Sequence, residues 1–180
     1  MLVQMRVQSS TEEELDEQRL QAEIDTNLLG PMRVGAAFLP HLARMAGREL
    51  PGLATSAKPG APTLINVSSG LAFVPLARFP VYCATKAAIH SWTMCLRHQL
   101  RGSSVKVIEL IPPYVATELG GPAKTVPPGA PQPMPLEAFI AETMRELETD
   151  ADEIAVAEAK RLVAATSPEM VKKIFSTMNG

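Results

Sequence analysis

The sequence holds only two cysteines, Cys83 and Cys95, and three histidines, His41, His90 and His98. A single helix carrying both cysteines separates them by about 18 Å, which excludes a disulfide. Their expected role is packing, as small core residues. Cys83 has no neighbouring His or strong base in sequence that would activate it as a nucleophile. The histidines show no metal-ligand spacing with Cys or carboxylates, so they are read as ordinary surface or helix side chains and no metal is expected. No uninterrupted apolar run approaches the roughly 20 residues of a membrane span, and Met1 to Arg6 lacks the apolar core of a secretory leader. Lys and Arg are scattered rather than clustered and the formal charge is -2, so nucleic acid is not an expected partner. Internal repeats are missing too. The expectation is a soluble, cytoplasmic protein.

What is present fits one α/β domain over 1–180, since 46% hydrophobic residues in a chain of this length suffice for a sizeable core. Met1 to Met5 reads as the stub of a strand, and Ser10-Thr11-Glu12-Glu13 as a capping box. Ile24 to Pro31 enters a helix running to about Met45, with Val34, Ala37, Phe38 and Leu42 on one side. Pro31 has no N–H, so the Asn27 carbonyl four residues earlier loses its usual helical donor. Gly47 to Pro62 is a Gly/Pro-rich loop. Thr63 to Ser68 reads as a buried strand, and a helix opens at Tyr82 with Ala84, Ala88, Trp92, Cys95 and Leu96 recurring at helical steps. A second strand spans Val105 to Ile111. Two strands joined through a long helix predict a βαβ unit with parallel pairing. The stretch 112–135 is too rich in Pro and Gly for an interior element and long for a connector, which marks it as a disordered or functional loop. Beyond it, 136–180 reads as helices only: Pro135 to Glu148, Asp152 to Ala165, and a short last one opened by Ser167-Pro168-Glu169.

The chemistry gathers between Ser69 and Lys86. Ser69 lies at the carboxyl end of the first strand, and Tyr82 and Lys86 are four apart on one helix face. A free phenol titrates near pH ~10 and needs a fixed cation to act as an acid or base at neutral pH, which Lys86 could supply. A Ser69 hydroxyl polarising a carbonyl oxygen that Tyr82 protonates suits carbonyl reduction or alcohol oxidation.

These residues resemble the short-chain dehydrogenase/reductase family: Ile65-Asn66-Val67-Ser68-Ser69-Gly70, a thirteen-residue step from Ser69 to Tyr82, then Tyr82-Cys83-Ala84-Thr85-Lys86. The resemblance covers roughly residues 11 to 119. It implies a Rossmann-like, doubly wound parallel sheet in three αβα layers, and a catalytic set of Tyr82, Lys86, Ser69 and Asn27. The carbonyl of Asn27 would hold a water of the proton relay. It also implies NAD or NADP as cofactor, with Tyr82, Lys86, Pro112, Val115 and Thr117 contacting it. A small carbonyl or alcohol substrate would sit beneath the loop 112–135, and the helices of residues 24–45 and 82–100 would pair in a homodimer.

A dinucleotide also needs a Gly-rich turn between a strand and a helix. No such turn occurs in the sequence, so the match corresponds to the carboxyl-terminal half of the family's fold, lacking its first βαβ units, with 1–10 as a strand remnant. Two expectations follow: an oxidoreductase written here in truncated form, or a catalytically inactive fragment serving as a dimerisation or interaction module. A sheet of only two convincing strands, with no closing strand, would leave apolar faces uncovered and favour association.

Overall fold

Asp16 opens the first helix, its side chain accepting from the Gln18 and Arg19 amides that the first turn leaves without partners. The computed structural model describes residues 16–45, 61–119 and 132–180, and it runs this helix, α1, over Glu17–Ile24. The expected strand stub at Met1 to Met5, the capping box at Ser10 to Glu13 and nearly all of the Gly47 to Pro62 loop lie outside the described residues.

α1 runs on through a π turn, Asp25–Leu29, into α2, Gly30–Met45. Pro31 cannot donate to the carbonyl one turn back, and the Gly30 amide donates instead to the Asp25 carbonyl, five residues earlier. A Cβ on Gly30 would lie 3.0 Å from that oxygen, so glycine is what lets the turn widen. The expected apolar side of α2 is only partly inward: Ala37 is exposed and Phe38 is 56% exposed. The buried position is Gly35, where a Cβ would stand 3.0 Å from Cη2 of Trp92.

The predicted βαβ unit is present. β1, Thr63–Val67, pairs in parallel with β2, Lys106–Ile111, from Thr63↔Lys106 to Val67↔Leu110. Between them runs α3, Pro80–Leu100, which starts two residues before Tyr82 because Pro80 fits the first helical position. β1 is not the buried strand expected: it is an edge of the sheet among the described residues, and Thr63 and Ile65 stay exposed.

Two expectations about the tail are overturned. A third strand, β3, Glu153–Ala155, pairs in parallel with β2, giving the order β1-β2-β3. Asp152 to Ala165 therefore does not form one helix: β3 is followed only by the short α5, Ala159–Val163. Ile154 and Val156 are buried against Ile108, and Arg97 donates to the Asp152 carbonyl and the Glu153 carboxylate, fixing the strand's start. Such tertiary pairing outweighs local helix preference. α4, Leu136–Leu147, and α6, Pro168–Asn179, match expectation, the latter capped by the Ser167 hydroxyl on the Met170 amide.

Side chains of β2 alternate between two helical layers. Glu109 meets His90 of α3, whereas Ile108 and Leu110 pack with Phe139 and Leu147 of α4. The result is a three-layer αβα arrangement on a parallel sheet. The stripe expected on α3 is also corrected, since Ala84 and Cys95 are exposed and the buried face carries Tyr82, Cys83, Thr85, Lys86, Ile89, Thr93 and Leu96. Cys95 is thus no core residue, while Cys83 is. Hydropathy misses this face because its polar members are satisfied internally: Thr93 Oγ1 donates to the Ile89 carbonyl at 2.7 Å and accepts from Asn66 Nδ2 at 3.0 Å. No helix among the described residues is long and apolar enough to cross a membrane.

Candidate active site at the strand carboxyl ends

Ser69 leaves β1 in extended conformation and caps a 3₁₀ turn, Gly70–Ala72, its Oγ accepting from the Leu71 amide at 3.2 Å. The Gly70 amide donates to the Pro112 carbonyl just beyond β2, at 3.2 Å, tying the two strand ends together. α5 approaches so closely that a Cβ on Gly70 would lie 2.8 Å from Leu162 Cδ1, so a larger residue there would press on the segment bearing Ser69.

Tyr82 lies on the first turns of α3, 8% exposed, with its phenol beside the Ser69 side chain. Burial pushes its phenol up to about 12, with the Ser69 hydroxyl opposing the rise and the neighbouring Cys83 and Glu23 adding to it. Lys86, one turn on, is 1% exposed and donates through Nζ to the Val67 carbonyl at 2.9 Å. That Nζ lies 5.6 Å from the centre of the Tyr82 ring, and burial pulls the ammonium down to about 7. Asn27, buried in the π turn, donates through Nδ2 to Thr85 Oγ1 at 3.3 Å, and Thr85 in turn donates to the Tyr82 carbonyl at 2.8 Å.

Ser69, Tyr82, Lys86 and Asn27 are thereby gathered around the amino-terminal half of α3 from three separate elements: the end of β1, α3 itself and the π turn. Pro112 joins them through the Gly70 amide. Val115 and Thr117 lie farther along the same loop: Val115 bridges to Met134, and the exposed Thr117 accepts the Leu119 amide on its hydroxyl at 3.3 Å. Among the described residues no group of three or more His, Cys, Asp or Glu side chains is disposed to hold a metal ion.

The sequence reading gave no place to a second buried cluster beside this one. Glu109, wholly buried on β2, accepts from Ser68 Oγ at 2.5 Å and lies 2.9 Å from His90 Nδ1. His90 is therefore not the ordinary helix histidine expected. The available signal was an acidic residue inside the apolar run Val105 to Ile111, with a His four residues after Lys86.

The family model described as short chain dehydrogenase matches residues 5–126. Among curated proteins, the uncharacterized oxidoreductase DltE of Bacillus subtilis is 48% identical over 97 residues, which is 54% of this chain and 33% of that protein. The very-long-chain 3-oxoacyl-CoA reductase of Homo sapiens is 32% identical over 104 residues, 58% of this chain and 31% of that enzyme. The chain thus spans about a third of the length of these relatives. Among solved structures, a short chain dehydrogenase of Burkholderia cenocepacia in complex with NADP superposes with a TM-score of 0.73 at 23% identity, covering 97% of this chain and 65% of that one. The likeness extends to a Sphingobium yanoikuyae short-chain dehydrogenase in complex with NADPH, with a TM-score of 0.68 at 17% identity, covering 96% and 59%. At such identities the structural likeness speaks for the fold.

Proposed function

The chain belongs to the short-chain dehydrogenase family of oxidoreductases, and from that premise we propose that it interconverts a small-molecule carbonyl and its alcohol with NAD or NADP. The observation that carries this reading is the buried Tyr82 phenol beside the Ser69 hydroxyl, with the Lys86 Nζ 5.6 Å from the ring centre, at the carboxyl ends of parallel strands. Ligands of open α/β sheets bind at such ends.

Each residue has a separate task. In reduction, Ser69 donates a hydrogen bond to the carbonyl oxygen and Tyr82 gives that oxygen its proton. Lys86 favours the phenolate left behind, and the Asn27 carbonyl holds a water through which Tyr82 regains a proton. Tyr82 stays protonated across the neutral range because its phenol is pushed up to about 12, which suits the acid's role. The donors present suit the reactive end of a nicotinamide cofactor: Tyr82 and Lys86 would bind there, with Pro112, Val115 and Thr117 along its flank. When bound, the cofactor supplies the hydride in reduction and takes it up in oxidation. The loop 112–135 would cover the substrate. A cytoplasmic location accords with this chemistry.

A homodimer through α2 and α3 is part of the same reading, supported by the exposed Phe38 and Met94 on these two helices. That surface also favours the second reading, a catalytically silent interaction module. Absorbance at 340 nm during incubation of the chain with NADPH or NADH and a panel of ketones and aldehydes separates the two. We expect turnover that Tyr82→Phe lowers by about 10²- to 10⁴-fold without unfolding the protein. Turnover unchanged in that variant, or none in the parent chain, would leave the interaction module as the better account.

A further inference from the structure

Glu109 is the one carboxyl side chain of β2, wholly buried, and the proposed reaction set gives it no role. A carboxyl in that position is expensive unless it is hydrogen-bonded or paired, whereas Val or Ile would fill the strand without that penalty. Its partners show what it does there. Ser68 Oγ donates to Oε1 at 2.5 Å, and His90 Nδ1 lies 2.9 and 3.0 Å from the two oxygens. The imidazole packs on Phe73 with ring centres 4.5 Å apart, so His90 holds the carboxyl from a fixed position. A hydrolytic Ser-His-Glu triad is ruled out by geometry: the Ser68 hydroxyl bonds the carboxyl rather than the imidazole, and at 1% exposure it meets no substrate.

We propose that Glu109, anchored by His90, is a positioning residue that locks Ser68 and thereby aims the adjacent Ser69 hydroxyl at Tyr82; this rests on the oxidoreductase reading above. Extended backbone at Ser69 sends consecutive side chains to opposite sides, so fixing Ser68 fixes the rotation of its neighbour. The main chain is pinned on either side, by Ser68 N–H to the Leu110 carbonyl at 2.9 Å and Gly70 N–H to the Pro112 carbonyl at 3.2 Å. Of the three consecutive residues, only Ser69 then has a side chain left to face a reacting group. Glu109 acts on it through Ser68.

The test compares the full chain with Glu109→Val, Glu109→Gln and Ser68→Ala, reading the Tyr82 ring ¹³Cζ resonance, the thermal midpoint and NADPH-linked carbonyl reduction. Val keeps strand packing but offers no acceptor, so we expect a displaced Tyr82 resonance and a kcat lowered by about 10- to 100-fold with KM nearly unchanged. Gln still accepts from Ser68 and is expected to hold kcat within about threefold. Ser68→Ala should reproduce the Val result, and it decides the matter if the Val variant fails to fold. Should the parent chain reduce no carbonyl, the oxidoreductase reading fails while the resonance still judges the positioning claim. A Tyr82 resonance unmoved in folded Val and Ala variants would overturn the proposal, as would a kcat loss that merely follows the thermal midpoint.

Discussion

At the scale of single residues, burial works against ionisation of both Tyr82 and Lys86, and its consequence for stability has a definite sign. Lys86 titrates at about 7 in the fold against an ordinary 10.5, so between those values the unfolded chain binds the extra proton. Stability therefore rises with pH over that window, by at most about 1.4 kcal/mol per pH unit. Tyr82 acts oppositely: raised from 10.0 to about 12, it makes the folded state the better proton binder above pH 10 and erodes stability there. The thermal midpoint should accordingly climb from pH 7 to near pH 10 and then fall, and Lys86→Met should flatten the climb. A midpoint flat between pH 7 and 10 in the parent chain would contradict this. Reductive turnover is expected to decline as pH passes about 7, because Lys86 loses the charge that favours the phenolate. Ser69, Tyr82, Lys86 and Asn27 were singled out in the sequence by their spacing together with the resemblance to the short-chain dehydrogenase family, which gave Asn27 its place, and the fold brings them together. Glu109 and His90 were not, because their link depends on a strand and a helix meeting far apart in the chain.

Among the elements, the π turn is where sequence and structure speak most directly to each other. Pro31 signalled a disturbed helix start, and Gly30 permits the form it takes, with 3.0 Å between a would-be Cβ and the Asp25 carbonyl. Gly30→Ala is expected to destabilise the fold by about 1 kcal/mol, the contact outweighing alanine's better helix propensity. Urea denaturation at one pH measures it, and a stabilised variant would show that the turn tolerates a side chain. The turn after β3 makes the opposite case. Ala157 has a φ of 46°, a left-handed conformation, held there as its amide donates to Glu142 Oε1 at 3.1 Å. Ala157→Gly relieves that strain and should stabilise by roughly 0.5 kcal/mol after glycine's greater freedom in the unfolded chain is allowed for. β3 itself was illegible because a three-residue strand has no periodicity to detect. Its existence depends on Arg97 and the Ile108 cluster, which only the folded chain assembles.

For the whole molecule, the parallel pairing of β1 with β2 through α3 was legible from two apolar runs and the helix between them, while the third place in the sheet and the outward faces of α2 and α3 were not. Periodicity marks an apolar stripe without saying whether it meets its own core or a second copy. If Phe38 and Met94 lie in a homodimer, sedimentation velocity will give twice the chain mass, and Phe38→Glu with Met94→Lys will return it to one. The central claim is that Tyr82 and Lys86 form the reactive end of a nicotinamide site. A thermal-melt titration of the chain and of Lys86→Met with NADPH and, separately, NADH tests it most directly. The account predicts a concentration-dependent rise in the parent's midpoint with at least one nucleotide, equivalent to about 2.7 kcal/mol at a hundredfold excess over Kd, and a clearly smaller rise in the variant. A parent midpoint indifferent to both nucleotides, or an equal rise in Lys86→Met, would contradict it.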